Sequence, residues 1–348
     1  MLESINAGMD DQNEQQDDVQ KSVRKNGRFQ NPWPTFNKLP GLSDTCKYMF
    51  CSKNYSGIPS KRELDQTLPI LIPDADEIKR PPPSGIRVTW IGHATVLVQF
   101  DGISILTDPI FSKRCGPTQF MGLKRFRDPP CTIDELPQID AVVISHSHYD
   151  HLDLNSVKKL NSRFGQSLRW FVPLGLLQWM QNVGCHNVVE LDWWQESCLP
   201  EHSEMTFVFT PTQHSCQRGI TDVDTILWGS WTVIGPRYKF FFGGDTAYCE
   251  AFKQIGKRYG PFDLAALPIG SYAPQWFMKW THVNPTEAVQ IHQDIKARKS
   301  IAIHWGTFTM ADEQYMEPQQ LLREALEEIQ LSNDEFFTAK HGETRLLF

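Results

Sequence analysis

Apolar and polar positions change period several times along the chain. Residues 1–30 are rich in Asp, Gln and Asn and poor in apolar side chains. Such a stretch cannot bury enough surface to order itself, so it reads as a disordered acidic tail. Residues 31–85 carry Trp33, Pro34, Phe36, Pro40, Tyr48, Phe50 and Tyr55 without a regular period. They read as an extended arm packed on a single domain that runs from 31 to 348. From Ile86 the pattern turns to short apolar runs. Arg87–Gly92, Thr95–Phe100 and Ile103–Asp108 predict successive strands, with Asp101-Gly102 as the turn between the last two. Asp140–Ser145 is a short, nearly continuous apolar run, as expected of a strand covered on both faces.

Helical periods follow. Val157, Leu160 and Phe164 share one face after the 140–145 strand. Asn284-Pro285-Thr286-Glu287 presents a cap, a proline at the first helical position and an acid in the first turn. From Pro318, residues Leu321, Leu322, Ala325, Leu326 and Ile329 line one side of a helix. Strands and helices in both halves predict a layered α/β domain.

The 348 residues are 40% hydrophobic, enough for a sizeable core. Six of the 41 acidic residues fall within 1–20, which hold no Lys or Arg. The rest is nearly balanced against 34 basic residues, and a neutral body argues against a general nucleic-acid binder. The eight cysteines form no CxxC pair, so a zinc finger is not expected, and free thiols are the better reading. The acidic N-terminus does not look like a secretory signal. No apolar run approaches the ~20 residues that span a bilayer, so any membrane association is expected to be peripheral.

The chemistry concentrates in His146-Ser147-His148-Tyr149-Asp150-His151, directly after the 140–145 strand. Imidazole nitrogen and carboxylate oxygen are the ligands that zinc takes, and loops at strand ends carry functional groups. One metal uses only some of these, so further ligands are expected downstream at strand ends. His214 follows the strand Thr206–Pro211, Asp245 follows Tyr238–Gly244, and His304 follows Ile301–Ile303.

This HxHxDH run, followed by a distant His, Asp and His, resembles the metallo-β-lactamase superfamily over about residues 86–348. The resemblance implies an αββα sandwich, two mixed sheets flanked by helices, with two Zn2+ per chain at one edge. It assigns His146, His148 and His214 to one ion, Asp150, His151 and His304 to the other, and Asp245 as the bridge. Asp150 and Asp245 are then the catalytic carboxylates. His93 is read as a support for the first strand beside the metals, and His186, His202, His292 and His341 as structural or exposed.

Finer motifs narrow the resemblance. Trp90–Thr95, Leu106–Phe111, Thr210–His214, Leu227–Trp231, Gly243–Thr246, Pro268–Tyr272, Trp276–Lys279 and Ala302–Phe308 are similar to the N-acylphosphatidylethanolamine-hydrolysing phospholipases D. That similarity extends from about Arg28 to the C-terminus. It implies hydrolysis of N-acylphosphatidylethanolamine to N-acylethanolamine and phosphatidic acid by attack of a metal-bound hydroxide. Tyr149 and His282 are the implied substrate contacts. A homodimer, peripheral on Golgi or endosomal endomembranes, is also implied. The alternatives are a soluble lactonase or other small-substrate hydrolase of the same fold, and a non-catalytic binding module, which the full ligand set disfavours.

A lipid substrate calls for an apolar surface. Phe120–Arg127 interleaves aromatics, aliphatics and bases within the long 110–134 connection, and its charges are expected to keep it exposed. Trp170–Met180 and Trp276–Trp280 are further candidates, with burial in the core as their default.

Overall fold

The computed structural model describes residues 19–39, 41–51 and 56–348. Two seven-stranded sheets form its frame. In spatial order the first contains Val188–Leu191, Arg169–Pro173, Ala141–Val143, Ile103–Thr107, Thr95–Phe100, Ile86–Gly92 and Thr344–Leu347. The second contains Glu196–Leu199, His202–Thr210, Ser230–Ile234, Lys239–Phe242, Phe262–Pro268, Ala297–Ile303 and Phe336–Phe337. Both are mixed, with parallel pairings such as 103–107 on 141–143 and 262–268 on 297–303.

Burial on both faces explains the successive apolar positions in the central strands of the first sheet, where period-two alternation sends neighbouring side chains to opposite sides. Val96, Val98, Phe100, Ile105, Ala141, Val143 and Phe171 join the core shared with the second sheet. Their neighbours Leu97, Leu106, Val142, Trp170 and Val172 point the other way, onto Val157, Leu160 and Met180. Those residues belong to the helices Leu154–Phe164 and Leu177–Asn182. The helices Ala251–Arg258, Pro285–Asp294 and Glu317–Glu328 contribute Phe252, Ile255, Val289, Ile291, Leu322 and Leu326 to the core of the second sheet. The order of layers is thus α, β, β, α.

Local signals place several boundaries where the sequence reading does. Asp101 and Gly102 have φ of 49° and 87° and turn 95–100 into 103–107. Asn284 accepts from Glu287 N–H while the Glu287 carboxylate accepts from Asn284 N–H, which closes a capping box at the start of 285–294. No helix of the described residues is long and apolar enough to cross a membrane.

Three expectations are corrected. Residues 1–18 lie outside the described residues, but 19–30, read as part of the disordered tail, are ordered. Val23–Lys25 pairs with Arg28–Gln30 around an Asn26-Gly27 turn whose φ values are both positive. Phe29 is buried, and its N–H donates to Asp224 O at 2.7 Å. An Asn-Gly turn and one anchoring aromatic outweigh the polar composition here. Secondly, the 31–85 arm is not simply extended. It holds the helices Leu42–Cys51, Lys61–Thr67 and Ala75–Ile78, and inserts Trp33 and Leu68 into the main core.

The third correction concerns Phe120–Arg127. Phe120, Met121 and Leu123 are exposed, the first at 92%. Arg125 and Arg127 are buried. Arg125 donates to Ile110 O at 2.8 Å and lies over the Phe308 ring, and Arg127 pairs with Asp65 at 2.8 Å. The ion pair of Arg127 and the carbonyl and ring contacts of Arg125 offset part of the cost of burial that isolated charges resist. Phe126 is partly buried and packs edge-on against Tyr315. Trp170, Phe171 and Val172 are core residues, whereas Trp276 stays 42% exposed.

Candidate metal centre

The strand directions of the two sheets bring one set of strand ends together. His93, Asp108 and the 146–151 run leave the first sheet there. His214, Asp245, Ser271 and His304 leave the second. Four of these residues, His93, Asp108, Ser271 and His304, have φ between 31° and 66°. Such left-handed backbone in non-glycine residues clusters at functional sites. Gly244, at φ +58°, is required by close approach: a Cβ there would lie 2.5 Å from Ser145 Cβ. The glycine lets the strand end carrying Asp245 come up against the one carrying His146.

All seven side chains singled out in the sequence converge. His146 Nε2 and His214 Nε2 lie 2.8 and 3.2 Å from His148 Nδ1. His151 Nε2 and His304 Nε2 lie 3.1 and 3.4 Å from Asp150 Oδ2. Asp245 sits between the two groups. Its Oδ2 is 3.2 Å from His151, 3.8 Å from His214 and 4.0 Å from His146, and its Oδ1 is 3.0 Å from His304. His151 Nε2, His304 Nε2 and Asp245 Oδ1 are buried with no hydrogen-bond partner.

These residues fit divalent cations. Two clusters of ligand atoms, His146/His148/His214 and His93/Asp150/His151/His304, each lie within 4.8 Å of one another. A tetrahedral ion with Zn–N bonds of ~2.0–2.1 Å sets its ligands ~3.3 Å apart, close to the separations observed. Uncoordinated polar atoms that face one another at this depth are costly unless a cation satisfies them. Burial and the neighbouring imidazoles push the titration of His146 and His214 far down, and burial lowers His148, which leaves neutral rings able to ligate. Burial would raise the Asp150 and Asp245 carboxyls, but His151 and its neighbours outweigh it and hold both well below the usual range. Burial works against protonation of His304 as well, but Asp245 and Asp150 lift it to about 9. Two buried carboxylates thus draw positive charge to this point.

Around these atoms lies a supporting layer that the sequence reading partly missed. Asp108 was not singled out. It accepts from His151 Nδ1 at 2.6 Å and from Ser145 N–H at 2.7 Å. Ser145 Oγ lies 2.8 Å from His146 Nδ1. An Asp directly after a strand and before Pro109 was the available signal. His93 Nε2 is 2.9 Å from Asp150 Oδ2, beside the candidate ligands. His214 Nδ1 donates to Thr281 O at 2.8 Å. His341, read as structural or exposed, is buried, packs at a tilt against Trp90, and bonds Thr307 Oγ1 at 3.1 Å.

Tyr149 and His282 border one cavity of about 320 Å³, together with His148, Asp150, Asp245, Cys115, Leu123, Met278 and Met310. Tyr149 donates its hydroxyl to Arg218 O at 2.9 Å, so the oxygen retains acceptor capacity toward the cavity. His282 Nδ1 is buried without a partner, 3.8 Å from Asp245 Oδ2. His214, Asp245 and His282 form a further close group, so His282 is itself within reach of the centre.

Comparison with known proteins agrees with this architecture. The family described as Beta-lactamase superfamily domain matches residues 104–305. The chain is 43% identical to N-acyl-phosphatidylethanolamine-hydrolyzing phospholipase D 1 of Caenorhabditis elegans over 335 residues, 93% of either chain. It is 35% identical over 260 residues to N-acyl-phosphatidylethanolamine-hydrolyzing phospholipase D, mitochondrial, of Saccharomyces cerevisiae, covering 72% of this chain and 54% of that one. The solved structure of a possible metal-dependent hydrolase from Veillonella parvula shares the fold, with a TM-score of 0.60 at 17% identity over 76% of this chain and all of the other. The chain belongs to the beta-lactamase superfamily and, within it, to the family of N-acyl-phosphatidylethanolamine-hydrolyzing phospholipases D.

Proposed function

We propose that this chain is a metal-dependent phospholipase D that hydrolyses N-acylphosphatidylethanolamine to N-acylethanolamine and phosphatidic acid. The observation that carries the reading is the convergence of seven His and Asp side chains, of which His148, Asp150 and Asp245 border a cavity with an apolar wall, in a chain 43% identical to a relative named for that activity. His146, His148 and His214 would hold one zinc ion, Asp150, His151 and His304 a second, and Asp245 would serve both. When bound, such a pair acidifies water and offsets charge on phosphoryl oxygens.

The chain's own residues do the rest. Asp150 borders the cavity, where its carboxylate can orient a water and accept its proton, and His93 fixes the rotamer of that carboxylate. Tyr149 and His282 flank the space where the phosphodiester and acyl amide would lie. Leu123, Met278 and Met310 offer an apolar wall to an acyl chain, and methionine adapts to varied shapes.

Access is from a lipid surface in this reading. Two loops and a short helix near the cavity carry exposed apolar residues: Phe120 and Met121 on the first loop, Ile220 at 96% exposure on the second, and Trp276 on the helix Gln275–Met278. Leu123, Gln217 and Met278 from the same segments border the cavity itself. Such residues suit peripheral insertion into a phospholipid interface. We further propose a homodimer and attachment to Golgi or endosomal membranes, both supported by the family resemblance. The yeast relative is named as mitochondrial.

The test is product analysis. The purified chain is incubated with N-acylphosphatidylethanolamine and with phosphatidylcholine, and the products are identified by mass. Release of N-acylethanolamine and phosphatidic acid from the first substrate supports the reading. Absence of both products in the zinc-loaded protein overturns it.

A further inference from the structure

Arg218 lies outside the seven-residue set, in the loop that leaves His214. Its Nη1 donates to Ser147 O and to Leu152 O, each at 2.8 Å. Those two carbonyls bracket the segment that carries His148, Asp150 and His151. The guanidinium carbon also sits 4.1 Å from the Tyr149 ring centre and 5.3 Å from that of Trp179. Tyr149 donates its hydroxyl to the Arg218 carbonyl at 2.9 Å. Arg218 N–H in turn faces both oxygens of Asp222 at 3.3 Å, which fixes the backbone from which the side chain projects.

The segment itself is a single turn, with His151 and Leu152 N–H both directed at His148 O. A lone turn holds its ends weakly, because it lacks the repeated hydrogen bonds of a helix. We propose that Arg218 is a positioning residue: one guanidinium nitrogen ties the two ends of the metal-binding turn together while the guanidinium plane clamps Tyr149. The proposal rests on the metal reading above. It concerns what keeps His148, Asp150 and His151 aimed at one point. Lysine is a poor substitute, since its shorter reach and spherical charge offer no plane for Tyr149 and Trp179.

The experiment follows zinc release from the full chain to an excess of chelator, alongside the melting temperature of the metal-free protein. Arg218→Ala is compared with Arg218→Lys, and each is repeated with millimolar methylguanidinium. Arg218→Gln replaces the alanine variant if the latter does not accumulate. The proposal predicts that the alanine or glutamine variant loses zinc about 10–100-fold faster than wild type, the factor by which removal of groups that support metal ligands generally lowers affinity. It predicts no recovery with lysine, and slower release when methylguanidinium occupies the vacated site in the alanine variant. Melting of the metal-free chain should change little. Unchanged zinc release, or full recovery by lysine, overturns the proposal. A wild-type chain that retains no zinc overturns the metal reading itself, so the two failures are distinct.

Discussion

Asp108 accepts a 2.6 Å hydrogen bond from His151 Nδ1, and with it fixes which face of that imidazole looks at Asp245. The same carboxylate holds Ser145 through its N–H and its hydroxyl, at 2.7 and 2.5 Å. One buried side chain therefore sets the rotamer of a candidate ligand and the path of the backbone that enters the metal-binding turn. Asp108→Asn keeps the shape but offers His151 a weaker, neutral acceptor. Metal affinity should fall about 10–100-fold. Competition against a chromogenic chelator measures it, and an affinity equal to wild type would remove Asp108 from this role.

The backbone contact at Gly244 makes a second prediction. Gly244→Ala adds a Cβ 2.5 Å from Ser145 Cβ at a residue with φ +58°. Left-handed strain costs on the order of 1–2 kcal/mol, and the clash adds to it. Thermal unfolding should show a loss of at least about 2 kcal/mol, with turnover reduced further because Ser145 and Asp245 are pushed apart. A variant that melts with wild type would show that the two strand ends do not meet this closely.

Much of the centre was legible in the sequence. The 146–151 run is dense enough to stand alone, and His214, Asp245 and His304 each follow an apolar run that had to be a strand. Strand ends at one edge of a sandwich are forced together, so sequence distance did not hide them. Asp108 obeys the same rule but has no second ligand type beside it, and nothing along the chain pairs it with His151. The burial of Arg125 and Arg127 was not legible either. Their partners, Asp65, Phe308 and the Ile110 carbonyl, come close only once the 110–134 connection has folded back. The 23–30 hairpin differs in kind: its Asn26-Gly27 turn signal is present in the sequence, but the surrounding polar composition masks it.

Exposed apolar tips carry the membrane prediction. Replacing Phe120, Met121 and Ile220 with Ser removes three such side chains without touching the cavity wall. The vesicle partition coefficient should drop at least about tenfold, since even one fully inserted apolar side chain is worth about 1.5–3 kcal/mol. Hydrolysis of a short-chain soluble analogue should stay near wild type. Unchanged sedimentation would exclude these loops from lipid contact.

Buried His292 gives a stability signature in acid. Burial pushes its titration down to about 4, and its Nδ1 bonds Ser300 Oγ at 2.8 Å. Above the unfolded value of ~6.5, neither state is charged and the residue adds no pH dependence. Between ~6.5 and 4 the unfolded chain takes up the proton and the folded one does not, so stability falls as pH drops, by up to ~1.4 kcal/mol per pH step. Below 4 the loss levels off. His292→Gln should flatten this part of the denaturation profile relative to wild type. Parallel profiles for the two proteins between pH 6.5 and 4 would contradict the assignment.

The most direct test is a zinc titration of the metal-free chain, with turnover of N-acylphosphatidylethanolamine followed at each addition. The account predicts negligible turnover at the start and a rise that levels off near two equivalents of zinc per chain. Full turnover in the rigorously metal-free protein would contradict it.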